Sequence, residues 1–277
     1  MHRRDLLTAV ALGVASALGV AGCAGPGSDP APTTSTTPTT SSPDPSLRLQ
    51  DGPPTLPSQA AGPPRLVSRL PATLDHSVAL TIDDGVSTPV VESLVDFAAQ
   101  SGIRLTFFVT STYASWRSVA PRLRPLVDSG QVQLANHTVT HPDLTKLTAE
   151  AIAGELTRCE QFLATTYGVT GRPFYRPPYG RHTPAVDKVA ADLGYTTTTM
   201  WLGTLEDSGP VTPTDLMRLA QQWLQPRGLV IGHANQPAIT TVYPQLVELI
   251  RSRALSTVTL DDAFYGSARR MRDASPK

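Results

Sequence analysis

Cysteine is scarce: only Cys23 and Cys159 occur in 277 residues, so no multi-bridge disulfide framework can hold the chain together, and its folded part must rest on an apolar core. Net charge is absent as well. The 23 basic side chains offset 23 acidic ones, which removes any general electrostatic case for binding nucleic acid. Long apolar runs are also missing. The nearest approach, Leu6 to Ala21, is broken by Gly13 and Gly19 and falls short of the roughly 20 strongly apolar positions that a permanent membrane span needs. With 40% hydrophobic and 17% charged residues the chain is nonetheless neither wholly disordered nor collagen-like. Proline is plentiful, at 26 residues, and clusters toward the N-terminus.

That N-terminal region reads as an address followed by a tether. Residues 1–23 combine a basic start (Arg3, Arg4), the apolar run and small residues, the pattern of a cleaved export signal. Its end, Val20-Ala21-Gly22-Cys23, resembles a bacterial lipobox, so Cys23 is the expected lipidated first residue of the mature chain; an ordinary signal cut with Cys23 incidental is the alternative. Arg3-Arg4-Asp5-Leu6-Leu7 fits a twin-arginine signal as well as an ordinary basic start. Residues 24–65, rich in Pro, Thr, Ser and Gly, cannot bury enough apolar area to offset backbone ordering and predict an extended, disordered tether. The expected location is the outer face of the cytoplasmic membrane or the cell envelope, with the lipid as the membrane contact.

Residues 66–277 predict the folded domain. Short β-type runs at Val78–Ile82, Arg104–Val109, Val132–Ala135, Pro173–Arg176, Thr196–Trp201, Leu229–His233 and Thr257–Leu260 alternate with segments of helical period. Among the latter are Val91, Leu94, Val95, Ala98 and the stripe Ile152, Leu156, Cys159, Leu163 within Ala149–Thr165; Cys159 therefore reads as a small core residue. Repeated βα units imply an α/β fold of about seven parallel strands, either an open sheet or a closed barrel, with functional residues at the C-terminal strand ends. A folded part of this size with its own core is compatible with a monomer.

Polar residues gather at those ends. The first strand stops in Asp83-Asp84-Gly85, where adjacent carboxylates repel unless something positive compensates them. The third runs into His137-Thr138-Val139-Thr140-His141, two imidazoles four apart, which a helical turn would place on one side to share a divalent metal. With one of the two Asp residues they make a two-His, one-carboxylate face that leaves room for water and substrate. The fourth strand ends at Arg176-Pro177-Pro178-Tyr179-Gly180, whose guanidinium can orient the other carboxylate. The sixth ends at Ile231-Gly232-His233, a core imidazole or a proton carrier. Trp201, at another strand end, is a stacking platform for a ligand ring or a packed core side chain. His182 reads as exposed or product-binding, His76 has no role, and Ala234-Asn235 read as a turn or a polar contact to substrate.

In that order along the chain these motifs resemble the polysaccharide deacetylases of carbohydrate esterase family 4. The resemblance implies a distorted (β/α)-barrel. It implies Asp83 as general base, Asp84, His137 and His141 as metal ligands, Arg176 as the residue orienting Asp83, the Tyr179 backbone N–H as an oxyanion donor, and His233 as general acid. Asp207 aligns with the Asp that supports that His, but Ser208 stands where the family carries Trp, so one groove wall departs from the family pattern. Nitrogen and oxygen ligands suit zinc and also admit cobalt, nickel or iron. Such a cation lowers the pKa of bound water and polarises the acyl oxygen, so the expected activity is removal of N-acetyl groups from an N-acetylglucosamine polysaccharide, peptidoglycan or chitin-like. An O-acetyl polysaccharide esterase using the same site, and a non-catalytic surface carbohydrate-binding lipoprotein, are the alternatives.

Overall fold

Eight consecutive buried residues, Ser77–Asp84, form the strand around which the sheet is built. A computed structural model of the chain describes residues 45–49 and 65–266; the expected signal segment 1–23, including Cys23, and all of the expected tether 24–65 except 45–49 and Arg65 lie outside the described residues. The strands among the described residues are β1 (Arg65–Val67), β2 (Ser77–Asp84), β3 (Leu105–Val109), β4 (Val132–Asn136), β5 (Phe174–Tyr175), β6 (Thr197–Thr199), β7 (Gly203–Thr204), β8 (Gly228–His233) and β9 (Ser256–Thr257). The helices are α1 (Thr88–Ser101), α2 (Ser115–Ser118), α3 (Ala120–Asp128), α4 (Ala149–Tyr167), α5 (Pro184–Asp192), α6 (Pro213–Trp223), α7 (Tyr243–Ser252) and α8 (Leu260–Tyr265). The strands form one sheet of order β1-β6-β5-β4-β3-β2-β8-β7, with β9 also on β2, and every ladder is parallel. This is the expected curled α/β sheet. Among the described residues no ladder joins β1 to β7, so hydrogen bonds do not close the barrel.

Strand alternation sorts the core into two layers. Val78, Leu80 and Ile82 of β2 pack toward the helices, in a cluster with Val91, Leu94 and Val95 of α1 and Leu246, Val247 and Ile250 of α7. Ala79 faces the other way, into a cluster with Phe108, Ala135, Phe174, Leu229 and Phe264 that fills the barrel interior. Cys159 is buried, as its stripe predicts, and burial pushes its thiol up to about 12. Among the described residues no helix is long and apolar enough to cross a membrane.

Three expectations change. Thr257–Leu260 is a strand only at its start, because Thr259 and Asp262 form a capping box that begins α8 at Leu260. The very short β1 and β7 carry too few residues for alternation to reveal them. Within the expected tether the described residues 45–49 are docked: Pro45–Leu47 is a 3₁₀ turn, Leu47 and Leu49 pack on the helical core, and the Leu49 N–H donates to Ser101 O at 2.6 Å. The Arg251 guanidinium donates to the carbonyls of Ser46 and Arg48, at 2.9 and 3.0 Å. Ser101 and Arg251 lie at the C-terminal ends of their helices, which in βα units is the end of the sheet opposite the C-terminal strand ends.

Candidate active site

Parallel register assembles the site. Asp83 pairs with Phe108 on one side and His233 on the other, while Asp84, Val109, Asn136 and Tyr175 follow one another across the sheet. His137 and Arg176 are the residues immediately after Asn136 and Tyr175, so all of these groups leave the sheet at one level. Alternation alone would send Asp83 and Asp84 to opposite faces. Asp84 instead has φ 71, a left-handed conformation, and both carboxylates reach one imidazole: His137 Nε2 is 3.5 Å from Asp83 Oδ2 and 3.4 Å from Asp84 Oδ1. Gly85 continues the turn at φ 102, and a Cβ there would sit 2.5 Å from the indole of Trp116, whose Nε1–H donates to Asp84 O at 2.8 Å.

The two histidines do not sit on a helical turn as expected. They flank an irregular loop in which Thr138 and His141 have φ 73 and 59. The Thr138 hydroxyl accepts the His141 N–H at 3.1 Å. Glu155, from α4, closes the loop from outside: its carboxylate accepts the N–H groups of Val139 and Thr140, each at 2.8 Å, and the Thr140 hydroxyl at 3.0 Å.

Asp84, His137 and His141 present ligand atoms that lie within 4.8 Å of one another. Two observations favour a cation among them. Asp84 Oδ1 is buried, accepts no hydrogen bond, and faces His141 Nε2 at 3.3 Å as well as His137. His137 Nδ1 lies 2.8 Å from Arg176 O, an acceptor only, so Nδ1 carries the proton and Nε2 can offer a lone pair. Without a cation, burial opposes charge on His137, but the Asp83 and Asp84 carboxylates outweigh it and hold its pKa above the ordinary value. Burial and the charge of His137 push His141 the other way. Burial also works against the Asp84 carboxylate, yet His137, His141 and a hydrogen bond from Asn235 keep its pKa well below the usual range. Protonation of these imidazoles therefore competes with cation binding.

Asp83 Oδ1 is held by Arg176 Nη1 at 2.5 Å. The fully buried guanidinium is itself fixed by Thr199 O and Met200 O, at 3.0 and 3.2 Å, and stacks over Phe108 at 4.1 Å. Across the groove His233 Nδ1 meets Asp207 Oδ1 at 3.0 Å, so Asp207 reaches the imidazole despite Ser208 beside it. Burial disfavours the imidazolium, but the Asp207 hydrogen bond and the charges of Asp83, Asp207 and Asp84 prevail, and the His233 pKa is raised.

These groups floor a groove of about 530 Å³. Trp201 is half-buried against the interior core and the Arg176 guanidinium, and it also lines the groove. Tyr179, 61% exposed with φ 61, stands over His141 with ring centroids 4.6 Å apart. Thr204, Glu206 and Ser208 line the remaining wall. His182 is neither free nor in the groove; its Nδ1 pairs with Asp187 at 2.7 Å. The role-less His76 is exposed. Sequence reasoning missed Glu155, whose helical stripe gave no hint, and Asn235, whose amide donates to Asp84 Oδ2 at 2.7 Å instead of forming a plain turn.

Residues 71–198 match the family model for polysaccharide deacetylase. A chitin deacetylase of Arthroderma benhamiae is 27% identical over 200 residues, covering 69% of this chain and 53% of its own. The peptidoglycan-N-acetylmuramic acid deacetylase PdaA of Bacillus subtilis is 30% identical over 128 residues, covering 45% of this chain and 46% of its own. The chain therefore spans about half the length of these two curated relatives. A T48 deacetylase solved with substrate superposes with a TM-score of 0.62 at 29% identity, over 69% of this chain and 92% of that one.

Proposed function

Since the chain carries a domain of the polysaccharide deacetylase family, we propose that it is a metal-dependent hydrolase removing N-acetyl groups from an N-acetylglucosamine-containing polysaccharide, peptidoglycan or chitin-like. The observation that carries the reading is the meeting, in one groove, of the Asp84–His137–His141 cluster with the Asp83–Arg176 and His233–Asp207 pairs. A divalent cation held by that cluster supplies the acidification of water and the polarisation of the acyl oxygen. Two imidazole nitrogens and a carboxylate oxygen suit zinc, with cobalt, nickel and iron as competitors.

The protein's own groups do the rest. Arg176 occupies Oδ1 of Asp83, which leaves Oδ2 as the base that takes the proton of the attacking water. The backbone N–H of Tyr179 is the donor for the oxyanion as it forms, stabilising it more than the flat amide. His233, whose imidazolium form Asp207 stabilises, gives its proton to the amine, which is too basic to leave as an anion. Trp201 offers its exposed part to a sugar ring. The products are acetate and an amino sugar. The lipobox ending at Cys23 supports export and lipid anchoring at the outer face of the cytoplasmic membrane; loss of lipid labelling in Cys23→Ser tests that part, and a single species in sedimentation tests the monomer.

Acetate release from acetylated chitooligosaccharide, peptidoglycan fragments and acetylated xylan tests the activity. The expected outcome is release from the first or second, abolished by a chelator and restored by zinc. Release from xylan alone points to an ester hydrolase, and no release from any to a binding protein. Asp83→Asn keeps its metal and loses about a thousandfold in turnover, whereas His137→Ala loses both. An Asp83→Asn protein of near-normal rate overturns the base assignment.

A further inference from the structure

Asp84 has two oxygens in different circumstances. Oδ1 faces the two imidazoles and accepts no hydrogen bond. Oδ2 is taken: it accepts Nδ2–H of Asn235, 2.7 Å away, from a residue 151 positions later in the chain. The Asn235 amide is oriented by a second contact, because its Oδ1 accepts the Val86 N–H at 3.4 Å. Turning the amide over would set its carbonyl oxygen against the carboxylate and its NH₂ against a backbone N–H, so only one orientation is satisfied at both ends. The backbone beneath is tied at the same place: Ala234 N–H donates to Asp83 O at 3.0 Å, and Ser87 N–H to Ala234 O at 3.1 Å. The loop after β8 is thereby locked onto the loop after β2, with the Asn235 side chain aimed at the carboxylate.

From this we infer that Asn235 is a positioning residue for the metal site: its carboxamide occupies Oδ2 of Asp84, so that the carboxylate offers the cation Oδ1 alone. The inference rests on the metal-dependent reading above and deepens it. A carboxylate with both oxygens free can swing to chelate through both, filling a position that water or substrate needs; a neutral amide donor prevents this without adding charge. An acidic side chain at 235, being acceptor-only when ionised, could not do this. Asn235 also lines the groove, and on this assignment it acts on the cation through Asp84.

The test loads the full chain with zinc, against a chromophoric competitor, and with cobalt, whose visible absorption weakens as oxygen donors are added. Wild type, His137→Ala and Asn235→Ala are compared, with the melting temperature of each metal-free protein measured in parallel. The expected result is one tight site in wild type and none in His137→Ala. Asn235→Ala should bind zinc about tenfold more weakly, show a diminished cobalt band as Oδ2 joins Oδ1, and lose kcat more than KM. A merely structural role would lower the melting temperature and leave the cobalt band of the loaded protein unchanged, and that unchanged band overturns the inference. Asn235→Ser, whose hydroxyl stops short of Oδ2, makes the same comparison if the alanine protein does not fold. Failure of wild type to bind either metal overturns the metal-dependent reading and this inference with it; normal wild-type binding with an unaltered Asn235→Ala spectrum overturns the inference alone.

Discussion

His233 and Asp207 show how one contact sets a pH range. An imidazole buried alone would give up its proton more easily than in water; here the Asp207 hydrogen bond and the surrounding carboxylates reverse that and raise its pKa. As the proposed acid, His233 works only while protonated, so the rate falls as pH rises through its pKa. Asp207→Asn removes the charge, lowers that pKa and moves the alkaline limb of kcat/KM to lower pH, with about a hundredfold loss of kcat. Proton NMR of the His233 ring reads the shift directly, and an unmoved titration in the Asn variant refutes the pairing. Arg176 is the matching case for the base. Its guanidinium, wholly buried, is satisfied by Asp83 and two carbonyls, so each partner depends on the other for compensation.

At the scale of the element, α4 does more than cover the sheet. Its apolar stripe faces the core, and Glu155 on the same helix reaches over the histidine loop to collect two backbone N–H groups and a hydroxyl. The loop needs this because Thr138 and His141 are held at left-handed φ, where no helical hydrogen bonds satisfy the backbone. Glu155→Ala leaves those donors without an acceptor. It should destabilise the protein by about 2 kcal/mol and weaken zinc binding about tenfold. Glu155→Gln, which keeps an acceptor oxygen, should recover most of both. Zinc titration and thermal melting check the pair, and an Ala variant of unaltered zinc affinity would mean that the loop holds its shape unaided.

For the whole molecule, the segment 45–49 is docked on the helical layer. It lies against the ends of α1 and α7, on the side of the sheet away from the groove. Leu49→Asp combined with Arg251→Ala should release the segment and speed proteolysis between residues 45 and 64 about fivefold, the equivalent of ~1 kcal/mol, with acetate release from a soluble oligosaccharide unchanged. Equal cleavage of both proteins would show the contact to be negligible.

Much of this was legible before the fold was known. β-type runs and helical stripes are local patterns, and the residue types that can carry acid, base and metal chemistry stand at the ends of those runs in the order Asp83-Asp84, His137, Arg176, His233. Composition and periodicity therefore determined the α/β class and the buried Cys159, while the order of these motifs, through the resemblance it carries, singled out the candidate site residues. What the tertiary structure decided is contact. Arg176 meets Asp83 across 93 positions, and Asn235 meets Asp84 across 151, because parallel register brings separate strand ends to one level. The left-handed turn at Asp84, the Glu155 brace and the docked Leu49 depend likewise on what packs against them, which no local pattern encodes.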